Sequence, residues 1–302
     1  MESNNKEYQK GLIYILLVYV IWGFMPAYWK LMKTVDPVLI LAHRVVWAFV
    51  LLIIAMLLLY KPSNLLEPLK DKKNIFLFIC ASITLAGQWI FYILCIVTNH
   101  VAELSLGYYI YPIIVVIFSA FLFKEKTNIY TKIAFVLALA GVLIMIIGYN
   151  NVPALGLGVA VTFSLYSVVK KKLRVMSLFS TFYELLFLLP FALVYIFYME
   201  INESGRYFAN MANNVSLPLL LIGGGVSTCI TLLLFASGAK RLNFAAVGFL
   251  QYISPTMVIV LALAVYKEAF GPGEWISYGF IWIAVIVYSI PAIKELFFKK
   301  NV

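Results

Sequence analysis

Arg44 is the first candidate for chemistry, because it lies deep inside a long apolar segment, residues 36–60. Its position is eight residues into that segment, or about 12 Å along a helix. A charge at this depth in a bilayer costs at least ~2.5 kcal/mol on insertion scales, so it is expected to face a cavity or a partner. With His43 beside it and Trp47 one turn on, we predict that His43 and Arg44 bind an anionic part of a small molecule or hold an internal acid. The alternative is an arginine that extends along the helix to the lipid headgroups.

Glu184 is the second charge inside an apolar segment, residues 177–199. It lies seven residues in, about 10 Å along a helix. Two interpretations stay open from the sequence: a carboxylate that carries a proton during a coupled process, or a buried neutral acid with a structural role. A direct pair with Arg44 is a third arrangement, which would have to bridge much of the apolar core.

Two prolines lie near the middle of equivalent apolar segments. Pro112 is ten residues into segment 102–123, and a proline there frees a backbone carbonyl and bends the helix. Helical spacing places Tyr108 and Tyr111 on its face. The equivalent positions, 143 residues later, are Gln251, Ser254 and Pro255, and Tyr252 is adjacent. We predict that Tyr108, Tyr111, Gln251, Tyr252 and Ser254 line a cavity beside the two kinks, because irregular backbone at this depth normally borders protein or water. The alternative is a structural kink with packed tyrosines.

Other aromatic and amide side chains extend this set. Trp22 and Gln88 lie deep in their segments and are candidates for contact with a flat or cationic solute. Tyr28 and Trp29 lie near the end of theirs and are expected to anchor the helix at the membrane interface.

The sequence shows no motif for hydrolytic, metal or nucleotide-driven chemistry. A phosphate-binding loop, HExxH, G-x-S-x-G and an acidic cluster are all missing. We therefore predict no catalytic residues, no bound metal and no cofactor. Cys80, Cys95 and Cys229 lie far apart in apolar segments and are expected to be small buried residues.

The composition predicts an all-α integral membrane protein. Apolar residues make up 64% of the 302, against about 45 to 50% in soluble proteins, and runs this long do not alternate as barrel strands do. The segments long enough to span a bilayer are 11–31, 36–60, 74–97, 102–123, 129–149, 154–172, 177–199, 215–238, 243–266 and 275–297. The net charge of +10 lies in short clusters between these segments, so it predicts orientation and no nucleic-acid binding.

An internal repeat organises these ten segments. Residues 102–125 and 245–268 match at a constant offset of 143, with Tyr109, Pro112 and Glu125 on Tyr252, Pro255 and Glu268. This predicts two five-helix repeats, 1–150 and 151–302. Because five is odd, the second repeat enters the membrane inverted.

The basic residues predict the orientation. With the amino terminus in the cytoplasm, 18 of the 23 Lys and Arg residues fall on the cytoplasmic side, four outside, and Arg44 within a span. The positive-inside rule therefore predicts a multi-pass protein with both termini cytoplasmic.

The chain resembles the RarD branch of the EamA family, in the drug/metabolite transporter superfamily. The blocks that carry the resemblance are IWGFMPAYWKLM, ILAHRVVWA, TNHVAELSLGYYIYP and LNFAAVGFLQYISPT, and it covers essentially the whole chain. The resemblance implies two inverted five-helix repeats in the bacterial inner membrane and export or exchange of metabolites or drugs, with a family label related to chloramphenicol. It places His43, Arg44, Tyr108, Pro112, Gln251, Tyr252 and Pro255 at family motif positions. The family pattern usually has asparagine where this chain has Gln88 and Tyr111.

We expect a secondary transporter, an exporter of small organic solutes that works by alternating access, with a small-molecule substrate and the lipid bilayer as its partners. The sequence leaves its oligomeric state open. Two other classes stay open as well. An integral-membrane enzyme acting on lipid-linked substrates would need a carboxylate or metal cluster at one interface, and a membrane sensor would bind a ligand without moving it.

Overall fold

The long apolar segments fold into helices that pack side by side. The computed structural model describes residues 2–32, 34–60, 66–98, 100–148, 153–202, 215–261, 263–264 and 271–298, and these contain no strand. The helices are α1 (Glu2–Lys30), α2 (Pro37–Leu59), α3 (Lys72–Val97), α4 (Val101–Leu122), α5 (Ile129–Gly148), α6 (Ala154–Lys172), α7 (Ser177–Ile201), α8 (Ser216–Arg241), α9 (Phe244–Leu250), α10 (Ile253–Leu261) and α11 (Pro272–Phe298). A short 3-10 helix, Glu67–Lys70, precedes α3.

The predicted all-α membrane fold is confirmed. Within the described residues, nine segments are long and apolar enough to cross a bilayer, with α9 and α10 together forming the ninth, Phe244–Leu261. A shorter apolar stretch, Trp275–Pro291 in α11, corresponds to the tenth predicted span. Large apolar side chains such as Phe121, Ile147 and Phe191 are at least three-quarters exposed, as expected of surfaces that contact lipid acyl chains.

The equivalent helices of the repeat lie against each other and run in opposite directions. The carboxylate of Glu125, just after α4, accepts a hydrogen bond from the backbone N–H of Phe244 at the start of α9. Towards the middle of the bundle, the Tyr252 hydroxyl donates to the carbonyl of Tyr109 in α4 at 3.2 Å. The end of α4 therefore lies beside the start of α9, which is the relation that an inverted repeat requires.

The two midplane prolines have different effects on the backbone. Helix α4 continues through Pro112 from Val101 to Leu122, so the kink predicted there does not interrupt the helix. In the second repeat the helix is interrupted at Gln251 and Tyr252, three to four residues before Pro255. A proline clashes with the carbonyl four residues earlier, which explains the position of this break.

Glycines allow close contacts at two helix crossings, α4 with α6 and α2 with α8. A Cβ on Gly107 of α4 would lie 2.4 Å from the carbonyl oxygen of Gly156 in α6. A Cβ on Gly225 of α8 would lie 2.2 Å from the Cβ of Trp47 in α2. Small residues at such crossings let membrane helices approach closely. They hold α4 against α6, and α2 against α8.

Candidate functional site

Arg44 lies between helices of both repeats. Its Nε–H donates to the Thr228 hydroxyl of α8 at 3.0 Å. Its guanidinium carbon lies 5.0 Å from the ring centroid of Trp29 in α1 and 4.8 Å from that of Trp89 in α3. Cation–π contacts of this length are favourable, and more so away from bulk water. We call Arg44, Trp29, Trp89 and Thr228 the arginine group.

The contacts of Arg44 favour a guanidinium that faces the protein over one that extends to the lipid headgroups. Thr228 is buried, with 3% of its surface exposed, and the hydrogen bond to it directs the guanidinium toward the protein interior. Trp29, which we expected at the membrane interface, packs on Arg44 and lies 3.1 Å from a Cβ built on Gly224. Trp29 thus contacts Arg44 from the last turn of α1, and its position at the membrane interface stays a prediction. Tyr28 also faces inward, since its hydroxyl donates to the carbonyl of Leu220 in α8.

Gln88 and Tyr108 extend the arginine group towards α4. The Gln88 amide donates to the Tyr108 hydroxyl at 3.4 Å, and Gln88 adjoins Trp89 in α3. Tyr92 and Tyr108 lie within electrostatic range of the Arg44 guanidinium. Three predicted site residues, Arg44, Gln88 and Tyr108, therefore share one neighbourhood.

Trp22 and Tyr111 lie in a different place, an aromatic cluster at the centre of the bundle. The ring centroids of Trp22 and Phe163 are 5.5 Å apart, and those of Tyr111 and Phe163 are 4.6 Å apart. Phe235 of α8 stacks on Trp22 at 5.8 Å. The Tyr111 hydroxyl is 3.0 Å from the Ser167 hydroxyl and is fully buried. Both residues therefore contribute to packing at the centre of the bundle, and their contact with a solute stays a prediction.

Gln251, Tyr252 and Ser254 lie at the break between α9 and α10. Tyr252 is held by its hydrogen bond to Tyr109, and the N–H of Ser254 donates to the Gln251 carbonyl at 3.0 Å. The side-chain oxygen of Gln251 is buried and has no hydrogen-bond partner in the described part of the chain. The break therefore leaves a polar acceptor in the protein interior.

Glu184 forms a buried ion pair with Lys170, and the pair with Arg44 that the sequence left open is not formed. The Lys170 ammonium donates to Glu184 Oε2 at 2.9 Å, and both side chains have no exposed surface. Tyr166 donates to Glu184 Oε1 at 3.1 Å, and Ser180 and Thr181 accept from Lys170. Lys170 is one of the 18 basic residues assigned to the cytoplasmic side, and the structure shows it buried in the last turn of α6 rather than exposed in a loop.

His43 lies on a different face of α2 from Arg44. It is buried, with 3% of its surface exposed. Because it precedes Arg44 by one position, helical geometry turns it by about 100° from the face that carries Arg44. A role for His43 in solute binding stays a prediction.

A second polar cluster closes the face of the bundle at which α1 begins, which we call the amino-terminal face. Glu125 accepts from Lys171 of α6 and from the backbone N–H of Phe244 at the start of α9, both at 2.8 Å. Ser119 donates to the same carboxylate, and Lys171 also donates to the Leu242 carbonyl. Burial alone would raise the pKa of Glu125, but the hydrogen bonds from Lys171, Ser119 and Phe244 outweigh it and leave that pKa below its usual value.

Several of these residues were not recognisable as site residues from the sequence, for identifiable reasons. Lys170 and Lys171 belong to a run of three lysines at the end of a span, a typical orientation signal that hides buried members. Thr228 follows three consecutive glycines, 223–225, and this pattern of small residues indicates close helix contact. This run of glycines was the feature of the sequence that could have pointed to α8 as the partner of Arg44.

Comparisons with known proteins support one family. The sequence profile described as the EamA-like transporter family matches residues 9–147 and 152–290. The chain is 32% identical to "Protein RarD" of Escherichia coli strain K12, with 95% of this chain and 96% of that protein covered. It is 35% identical to "Uncharacterized transporter YojE" of Bacillus subtilis strain 168, again with 95% and 96% covered.

A solved structure shows the same fold. The protein titled "Crystal structure of protein" aligns with 94% of this chain and 98% of its own, with a TM-score of 0.70. Its sequence identity is 19%, so the likeness concerns the arrangement of helices alone.

Proposed function

Because the chain belongs to the EamA-like transporter family and is a membrane transporter, we propose that it is a secondary carrier that exports small organic solutes by alternating access. The arginine group carries this proposal. It presents a cation inside the membrane at a place where α2 of the first matched region meets α8 of the second. Carriers built from inverted repeats bind their solutes where the repeats meet.

We also propose where the carrier lies, which solute it moves and what drives transport. The bacterial inner membrane, with both termini in the cytoplasm, follows from the basic residues and from the resemblance. A relation to chloramphenicol follows from the resemblance alone. Since the sequence has no nucleotide-binding motif, a solute or ion gradient must drive transport, and Glu184 is the proposed proton carrier.

The test is a flux assay on the purified full-length protein in sealed vesicles. Labelled small solutes, chloramphenicol among them, are screened with and without an imposed proton gradient, and protein-free vesicles supply the background. A carrier gives saturable uptake that Arg44→Gln reduces. The control variant is Arg174→Gln, because Arg174 is exposed in the turn between α6 and α7.

The same assay separates the other two classes. A membrane enzyme would convert a lipid-linked substrate without net flux of solute, and a sensor would bind solute without moving it. Absence of saturable flux for every solute, with the protein folded and binding one of them, would contradict the carrier proposal.

A further inference from the structure

The terminal amino groups of Arg44 have no acceptor within the described part of the chain. A guanidinium carries five N–H donors, and only the Nε–H of Arg44 makes a hydrogen bond there, with Thr228. Four charged N–H groups on the two Nη atoms are left, and the side chain keeps some accessible surface. Charged donors inside a membrane are costly when they are not satisfied. Their position therefore indicates an acceptor that arrives from outside the chain.

Other acids near the bundle have partners of their own. Glu184 pairs with Lys170, and Glu125 with Lys171. Glu7 pairs with Lys10 and Arg241. Two further acids accept hydrogen bonds: Glu103 from the backbone N–H groups of Leu155 and Gly156, and Asp36 from the N–H of Leu39 and the hydroxyl of Tyr195. Arg44 thus contributes one positive charge that no described acid balances. This single charge favours a monoanion over a phosphate monoester, which carries about −1.5 to −2 at pH 7.

The surroundings of Arg44 are aromatic rather than polar. The indoles of Trp29 and Trp89 both lie under its guanidinium carbon, and Gly224 leaves space for the Trp29 ring. Gln88 and Tyr108 add one amide and one hydroxyl nearby. Such walls suit an apolar or aromatic body attached to the anionic group.

We propose that Arg44 binds the carboxylate of an amphipathic monocarboxylic acid, with its Nη groups on the two carboxylate oxygens and the apolar body against Trp29 and Trp89. The Arg fork matches a planar carboxylate in a bidentate contact. Thr228 acts as a positioning residue, because its hydroxyl occupies Nε and directs the Nη edge away from α8. This inference rests on the proposed carrier function and adds the class of solute.

The experiment measures equilibrium binding of radiolabelled benzoate to the full-length protein in lipid nanodiscs. Benzamide is the competitor of the same shape without charge, and phenyl phosphate is the competitor with greater charge. Benzoate is expected to bind saturably and to be displaced at least about 10-fold more effectively by unlabelled benzoate than by either competitor. This comparison uses the unmodified protein, so it does not depend on the folding of any variant.

Variants then test whether Arg44 makes the contact with benzoate. Arg44→Gln is expected to weaken benzoate binding about 10-fold to 100-fold, as loss of a hydrogen-bonded charge pair would. Arg44→Lys keeps the charge without the planar fork, so its affinity for benzoate should fall between those of Arg44→Gln and the unmodified protein. Thr228→Val should weaken benzoate binding several-fold, because the guanidinium is no longer held in place. Arg174→Gln should bind benzoate as the unmodified protein does.

Three outcomes would overturn the inference: equal displacement by benzamide, stronger displacement by phenyl phosphate, or unchanged benzoate binding in a folded Arg44→Gln protein. The two proposals fail separately. Saturable flux of some solute without benzoate binding would leave the carrier and remove the carboxylate site. Arg44-dependent benzoate binding without flux of any solute would leave the site and remove the carrier.

Discussion

Removing one member of the Lys170–Glu184 pair is expected to destabilise the protein strongly. The ammonium and the carboxylate are 2.9 Å apart with neither side chain exposed, so Glu184→Leu leaves a buried cation with only Ser180 and Thr181 as acceptors. Lys170→Met leaves a buried carboxylate with the Tyr166 hydroxyl. Each variant keeps a charge in the apolar interior without its counter-ion.

The expected loss for each single variant is about 3 to 5 kcal/mol, the range for breaking a buried pair from one side. By the scaling for large domains, this corresponds to a fall of about 10 °C in the unfolding midpoint. The double variant, Lys170→Met with Glu184→Leu, removes both charges. It should recover most of the loss, since buried pairs replaced by apolar residues are often neutral or stabilising.

The measurement is thermal unfolding of the four proteins in one detergent, analysed as a double-mutant cycle. Lys172→Met serves as the control, because Lys172 is exposed at the end of the same helix. Single variants that unfold within about 2 °C of the original protein would refute the reasoning. A double variant as unstable as the sum of the single ones would refute it as well.

The same pair decides how proton coupling by Glu184 can be tested. Glu184→Gln imitates the protonated acid but leaves Lys170 charged and buried, so the cleaner protein is Glu184→Gln combined with Lys170→Met. A proton carrier is expected to lose gradient-driven uptake and to retain solute exchange without a gradient. If both survive, Glu184 is structural; if both vanish in a folded protein, it belongs to the solute site.

Three further predictions follow from the described helices. Cysteine at Asn202 should react with an impermeant thiol reagent outside intact cells, and cysteine at Asn128 should not, in a background without native cysteines; the reverse pattern would contradict the orientation. Glu125→Gln should lower the unfolding midpoint at pH 7. Because the pKa of Glu125 is depressed in the folded protein, this difference should disappear as the pH falls below the usual carboxyl range and through the depressed pKa. An equal difference at pH 7 and pH 3 would argue against this role of Glu125. Gly156→Leu should reduce the folded yield, since even a Cβ there lies 2.2 Å from the Glu103 carbonyl oxygen, whereas Gly279→Leu, where a Cβ meets nothing within 4 Å, should not.

The fold was largely predictable because its determinants are local. Long apolar runs specify membrane helices, and the matched prolines at Pro112 and Pro255 reveal the repeat without any knowledge of contacts. The different backbones at these two prolines were not predictable. A proline clashes with the preceding turn in either case, and whether the helix absorbs this or breaks depends on what packs around it.

The site was only partly predictable, because depth along a helix is a property of the sequence and the direction of a side chain among its neighbours is not. Arg44, Gln88 and Tyr108 were expected together and lie in one neighbourhood. Tyr111 was expected beside Tyr108 and instead packs on Phe163 in the aromatic cluster. These two tyrosines are only three residues apart, and a modest rotation of α4 decides which of them meets the arginine group.

The two internal charges show why depth alone does not assign a role. Glu184 and Arg44 lie about equally far into their spans but from opposite ends, so a direct pair would have had to bridge much of the apolar core. The third charge, Lys170, looked like an orientation signal and instead neutralises Glu184 at 2.9 Å. Arg44 then has aromatic rings and a hydroxyl but no described acid as partner. A cation retained in a membrane interior without a counter-ion is costly for folding, so an anionic solute that supplies the counter-charge would also stabilise the folded protein.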